Sequence, residues 1–234
     1  MTDVLPASSL QASSGASVVQ PKRLGVIISG AGSNLRALML ACQSGMIPQT
    51  QVAIVLSNRA DAGGLLFAQE QNIPTAVITQ KAYGSREAAD LAMLDVLRAA
   101  QVDWVILAGL NRIVTPAFIR AFAGRILNIH PSLLPAYGGA GMVGLRVHAA
   151  VLAAGEAYSG CTVHVVTDVV DGGAILGQAT VPVYPEDTPE GLAARVQAQE
   201  HRLFPAVLAF LVTHPSDDPS EALSALATTP LRLS

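Results

Sequence analysis

Between two polar ends, short apolar bursts alternate with apolar residues at helical spacing. Leu24–Ile28 is an apolar run that stops at Ser29-Gly30, and Leu35–Cys42 keeps helical spacing before Gly45. Val52–Leu56 reads as a second strand and Leu65–Gln71 as a second helix. Thr75–Ile78 is a third strand, followed by a longer helix over Ser85–Ala100 with Ser85 as its cap. Trp104–Leu107, the proline-led helix Pro116–Phe122 and Ile126–Ile129 continue the rhythm. Such alternation predicts a mostly parallel twisted sheet with helices on both faces. After Pro131 the pattern changes. A glycine-rich loop, Gly138–Gly144, leads to a helix over Arg146–Ala154 and two longer strands, Cys161–Val166 and Ala174–Val183. A last helix runs from Pro189 to Phe210, broken near Pro205. The expected fold is a single α/β domain over residues 21–212 with a sheet of about seven strands.

The ends read differently. Residues 1–20 are rich in Ser, Ala and Gln, and lack both the basic start and the apolar stretch of a secretory signal. They read as a flexible leader. Residues 213–234 carry Pro215, Pro219 and Pro230 among Ser, Thr and Asp, and read as a peripheral tail with room for a short helix over Ser220–Leu226. The apolar set makes up 51% of the chain, charged residues 13% and aromatics 4%, so the core is built from Ala, Val, Leu and Ile and global disorder is excluded. A net charge of −3 points away from nucleic acid and anionic membranes. No uninterrupted apolar run approaches the ~20 residues of a spanning helix. Cys42 and Cys161 are far apart and outside any C-x-x-C pattern, which suits buried thiols in a reducing, cytoplasmic compartment.

Three segments carry candidate chemistry. Gly30-Ala31-Gly32-Ser33-Asn34 joins the first strand to the first helix, where glycines admit close backbone approach and a helix N-terminus offers free N–H groups to an anion. A dinucleotide fingerprint would need Gly or Ala at position 35, which is Leu, and an acid near Leu56-Ser57-Asn58-Arg59, which has none. A phosphate monoester fits better. The plainer reading is a tight turn capped by Ser33 or Asn34. Asn128-Ile129-His130-Pro131 lies at the end of the fifth strand; Asn128 and His130, two apart, share a face and suit stabilisation of an oxyanion. Here the alternative is a histidine packed at a strand end. Thr167–Gly173 holds Asp168 and Asp171 in a glycine-rich connector, from which one carboxylate could reach and orient His130. His148 and His164 read as structural, with a smaller case for support beside the site. No H-E-x-x-H or C-x-x-C spacing suggests a metal.

In this order, ISGAGSNL (28–35), LAGLNRIVTPAF (107–118), LNIHPSLLP (127–135), CTVHVVTDVVDGG (161–173) and RVQAQEH (195–201) resemble the folate-dependent glycinamide ribonucleotide formyltransferase family of purine biosynthesis. The resemblance covers roughly residues 23–212. It implies a Rossmann-like formyltransferase domain, with a phosphate-binding N-terminal half and a folate-binding C-terminal half. The implied reaction is formyl transfer from 10-formyltetrahydrofolate, a co-substrate, to the glycinamide amine, without a metal. Carried over residue by residue, Asn128, His130 and Asp171 are the implied catalytic trio. Gly32, Ser33 and Asn34 hold the ribonucleotide phosphate, and Gln197 and Glu200 meet the amine end. Arg86, Asn111, Arg112, Ile113, Val114, Thr167, Asp168, Val169 and Val170 contact the folate, with Asn128 and Asp171. Cys161 is packing. One stretch departs from the family's commoner form: Ala136–Gly144 replaces a shorter loop bearing a histidine pair, and is expected to leave the trio untouched.

Rival readings differ in what they need. Methionyl-tRNA formyltransferase resembles this domain but adds a C-terminal barrel. Formyltetrahydrofolate deformylase adds a small N-terminal domain and has no need of Gln197 and Glu200. An NAD-dependent oxidoreductase lacks its ribose acid here. A non-catalytic phosphoribosyl-binding module would need Gly30–Asn34 but not the trio. The implied partners are small molecules, with the chain as a monomer or homodimer.

Overall fold

Residues 20–214 and 219–233 are described in a computed structural model. The expected leader thus lies outside the described residues except for Gln20, as do 215–218 and 234 of the expected tail. The elements, in order, are β1 (Lys22–Ile28), α1 (Ser33–Gln43), β2 (Thr50–Ser57), α2 (Gly63–Glu70), β3 (Thr75–Val77), α3 (Gln80–Tyr83), α4 (Arg86–Ala99) and β4 (Trp104–Leu107). There follow α5 (Pro116–Ala121), β5 (Ile126–His130), α6 (Leu145–Ala153), β6 (Tyr158–Val165), β7 (Ile175–Pro182), α7 (Pro189–Thr213), α8 (Pro219–Thr228) and β8 (Leu231–Leu233).

The strands form one sheet in the order β3-β2-β1-β4-β5-β6-β7-β8. β3, β2, β1, β4 and β5 are mutually parallel; β5–β6 and β6–β7 are antiparallel; β8 adds parallel to β7. Period-two alternation divides the core between the two faces. Leu24, Val26, Ile28, Trp104 and Ile106 pack with α1, α2, α6, α7 and α8. Ile27, Val105 and Leu107 pack with α4 and α5 through Met93, Leu94, Leu97 and Phe118. Runs buried on both faces are why β1 and β4 look continuously apolar in sequence.

Two expectations change. The sheet has eight strands, because the segment read as a tail folds back: Ala222 and Leu226 of α8 are buried, and β8 pairs with β7. Pro205 does not break the last helix, which runs unbroken for 25 residues. Proline removes one backbone donor there. Its neighbours Leu203, Phe204, Val207 and Leu208 are fully buried, and that packing holds both halves of α7 to the sheet.

Candidate active site

From β1 the chain moves outward to β2 and β3, then returns to place β4 on the other side of β1. Open α/β sheets hold ligands at the strand carboxyl ends beside such a reversal. A cavity of about 790 Å³ lies there, bordered by the ends of β4 and β5, by loops 109–114 and 139–145, and by α7. That volume suits a cofactor-sized ligand.

Three polar residues are hydrogen-bonded together nearby, of which Asn111 borders the cavity. Ser29 Oγ donates to Asn58 Oδ1 (2.6 Å), Asn58 Nδ2 donates to Asn111 Oδ1 (3.0 Å), and the Asn111 N–H donates to Ser29 Oγ (2.9 Å). Asn58, where a dinucleotide fold would carry its acid, instead ties β1 and β2 to the loop after β4. The Arg112 guanidinium turns inward to Asp90 and Met93 Sδ, and Asp90 also accepts the Thr115 N–H at 2.7 Å. The 111–114 segment is thereby anchored from beneath, leaving Ile113 exposed and Val114 buried at the cavity wall. Arg86, the first residue of α4, also borders the cavity, with a half-exposed side chain and only a 3.5 Å contact to Glu87.

Asn128 and His130 meet at the end of β5, on one face as their spacing requires. Their register partners on β6 are His164 and Thr162. His130 is 4% exposed. Its Nε2 donates to the Tyr137 carbonyl at 2.8 Å, while Nδ1 lies 3.5 Å from Asp171 Oδ2. Burial pushes the His130 imidazole below its ordinary pKa, against the pull of Asp171 and of the Tyr137 carbonyl towards the cation. Asp171 sits at φ 54°, a left-handed conformation that Asp tolerates better than most residues. Its Oδ2 accepts the Gly139 N–H at 2.9 Å. Burial works to raise the Asp171 carboxyl, but His164, the Gly139 N–H and His130 outweigh it and hold the group below its usual range.

His164 completes this cluster. Its Nδ1 lies 3.0 Å from the Val165 carbonyl, which can only accept, so Nδ1 carries a proton; Nε2 faces both Asn128 Nδ2 at 3.0 Å and Asp171 Oδ1 at 3.6 Å. The smaller case made for His164 from sequence is the one the geometry favours. The 136–144 loop does not leave the trio untouched: Tyr137 and Gly139 supply its two backbone contacts. Gly138 leaves little room there, since a Cβ would lie 2.6 Å from Leu134 Cδ2 and 3.3 Å from Asp171 Cβ.

At the other end, Gly32 precedes α1 at φ 77°, and α1 has no side-chain cap from Ser33 or Asn34. A Cβ on Gly32 would lie 2.7 Å from the Gly64 Cα, so the glycine is required by the approach of the α2 start. The Asn34 side chain turns inward, and its Nδ2 donates to Glu200 Oε2 at 2.8 Å. Burial raises the Glu200 carboxyl, partly offset by that bond. Gln197, one turn earlier on α7, faces the cavity and is exposed. Asn34, Gln197, Glu200, Thr167, Val169 and Val170 all border the cavity; Gly32, Ser33 and Asp168 do not, and Asp168 is exposed. Sequence reasoning missed Gln80 and gave His148 only the smaller case for support beside the site, yet both border it. A buried polar residue on an apolar helix, such as His148, was the available signal. Cys161 is fully buried, which pushes its thiol pKa up and suits packing.

Residues 22–208 match the formyl transferase family. A phosphoribosylglycinamide formyltransferase of Haemophilus influenzae is 46% identical over 187 residues, covering 80% of this chain and 85% of that protein. The trifunctional purine biosynthetic protein adenosine-3 of Drosophila melanogaster is 45% identical over 192 residues; the match spans 82% of this chain and 14% of that much longer protein. The crystal structure of glycinamide ribonucleotide transformylase 1 from Symbiobacterium toebii superposes with a TM-score of 0.79 at 43% identity, covering 86% of this chain and 93% of that one.

Proposed function

The chain belongs to the formyl transferase family, and from that premise we propose that it is an enzyme of purine biosynthesis that transfers the formyl group of 10-formyltetrahydrofolate to the amine of glycinamide ribonucleotide. The observation that carries this reading is the convergence of Asn128, His130 and Asp171 at one large cavity.

The reaction joins the substrate amine nitrogen to the formyl carbon, breaks the bond from that carbon to the folate nitrogen, and moves a proton from the first nitrogen to the second. The tetrahedral intermediate carries negative charge on the former formyl oxygen. Asn128 Nδ2 carries two hydrogens, only one of which faces His164, and donates the other to that oxygen. His130 Nδ1 makes no hydrogen bond among the described residues, and 3.5 Å to Asp171 leaves it free to donate to the oxyanion once it is protonated. Burial keeps the His130 cation costly in the free enzyme. The developing oxyanion adds to the Asp171 charge and favours the cation, which forms by taking up the proton that the attacking amine releases, so the interaction strengthens in the transition state. Asp171 then helps carry the amine proton, through water, towards the leaving nitrogen.

The folate lies along the anchored 111–114 segment, near Arg86, with loop 167–171 over its pterin. Arg112 acts from beneath that segment, and Asp168 stays at the margin. The ribonucleotide phosphate meets the uncapped N–H groups of α1 at Ser33 and Asn34, with Gln197 and Glu200 at its glycinamide portion. The transfer as proposed calls for no metal. The setting is the cytoplasm, with a monomer or homodimer and small-molecule partners; no helix among the described residues is long and apolar enough to cross a membrane.

Absorbance at the wavelength of tetrahydrofolate formation tests the reading, with and without glycinamide ribonucleotide. Release that requires the ribonucleotide is expected. Release at the same rate without it would mean a hydrolase.

A further inference from the structure

One register row crosses four strands. His130 on β5 is opposite Thr162 on β6, Thr162 is opposite Gln178 on β7, and Gln178 is opposite Arg232 on β8. The side chains of Arg232, Gln178 and Thr162 in that row form a chain of hydrogen bonds. Arg232 Nη1 donates to Gln178 Oε1. Gln178 Nε2 donates to the Leu134 carbonyl (2.9 Å) and to Thr162 Oγ1 (3.1 Å). Thr162 Oγ1 donates to the Ser132 carbonyl (2.7 Å) and accepts the Leu134 N–H (3.0 Å). Gln178, Thr162 and Ser132 are buried, so the segment that leaves His130 is fixed by groups shielded from water. Three residues further on, the same segment presents the Tyr137 carbonyl to His130 Nε2.

A glutamine amide can turn over and exchange its donor and acceptor ends. A guanidinium only donates. With Arg232 on its oxygen side, Gln178 must aim its NH₂ at Leu134. Without Arg232 the buried Oε1 loses its partner, and the turned amide would set two oxygens against each other at Leu134. β8 lies outside the 22–208 segment matched by the family.

We propose that Arg232, on the C-terminal strand, is a positioning residue for formyl transfer: it fixes the Gln178 amide and through it the Ser132–Tyr137 segment that orients His130. This rests on the proposed reaction, but its structural half does not.

Arg232→Met keeps the apolar stem and removes the donor, and Arg232→Lys keeps a cationic donor. Gln178→Leu removes the intermediate. In Arg232→Met, kcat should fall about tenfold with both KM values nearly unchanged, as expected of a small misplacement near the chemistry. Arg232→Lys should retain most of kcat. Adding Arg232→Met to Gln178→Leu should cost almost nothing more, because both act through one amide. Hydrogen exchange, read without substrates, should rise about tenfold in residues 131–138 of Arg232→Met while β1 stays protected. Unchanged kcat and unchanged exchange at 131–138 would overturn the proposal. So would exchange that rises equally in β1, which marks general destabilisation, or full additivity with Gln178→Leu. Because exchange needs no substrate, a wild-type chain without ribonucleotide-dependent turnover would refute the reaction while leaving the positioning link to be judged on its own readout.

Discussion

Replacing Asp171 by asparagine removes one charge and little else. Asparagine is among the few residues that accept φ 54°, so the backbone turn is retained. Its side-chain oxygen can still take the Gly139 N–H now held at 2.9 Å. What changes is the pairing with His130 Nδ1 across 3.5 Å. Two unit charges at that separation interact by about 5 kcal/mol at an effective dielectric of ~20. The carboxylate is shared with His164 and Gly139, so roughly 3 kcal/mol is the part expected to reach the transition state, about 10² in rate. With its oxygen on Gly139, the asparagine puts its NH₂ in the Oδ1 place beside His164 Nε2 and offers His130 Nδ1 a neutral oxygen in place of a charge. The tetrahydrofolate assay should therefore show kcat down by about 10² or more with KM values little altered, and the His130 titration midpoint, followed by NMR, should move down. Asp168→Asn is the control: Asp168 is exposed, three positions away and off the cavity wall. It should stay close to wild type. A dead Asp168→Asn beside a nearly normal Asp171→Asn would refute the assignment of the carboxylate.

Three further outcomes are expected. Glu200→Gln keeps the bond from Asn34 and removes a carboxylate whose pKa burial raises. A raised acid contributes stability at low pH that is lost as pH rises through its folded pKa, so at pH 8 the variant should melt higher than wild type yet bind the ribonucleotide more weakly in calorimetry. Gly32→Val forces a Cβ to 2.7 Å from Gly64 and occupies a left-handed φ; the yield of folded protein should drop, with both KM values affected alike in whatever remains. Burial lowers the pKa of His130, His148 and His201. Their contribution is full above the unfolded value of ~6.5 and is lost as pH falls through the lower folded values, so Tm should decline from pH 7.5 to 5.5, and His148→Gln, which removes one of the three, should flatten that slope.

What could be read beforehand follows from periodicity. Asn128 and His130 were legible because two residues on one strand must share a face, and the five parallel strands because buried runs alternate with helical spacing. Asp171 had no such warrant. Its loop has no period, Asp168 was equally acidic, and only the family resemblance separated them. His164 was half legible: its strand was evident, but its place opposite Asn128 depends on register, which no local pattern states. Leu231-Arg232-Leu233 is too short for a pattern, so the eighth strand went unseen. Pro205 followed a sound local rule that burial of both flanking turns overrode. The 136–144 loop was thought remote because its reach depends on how Tyr137 and Gly139 fold back over β5, not on composition.

The bond between Asn34 and Glu200 joins positions 166 apart in the chain. A ribosome delivers the first of these long before the second. While α7 is still unmade, the phosphate loop has its glycines and its helix but not its opposite wall, and Asn34 has no buried carboxylate to hold. The substrate pocket is therefore among the last features to mature, since closing so long a loop must await α7. In translation-coupled assays, ribonucleotide binding would report completion of the whole domain, whereas β1 to β5 could already be paired.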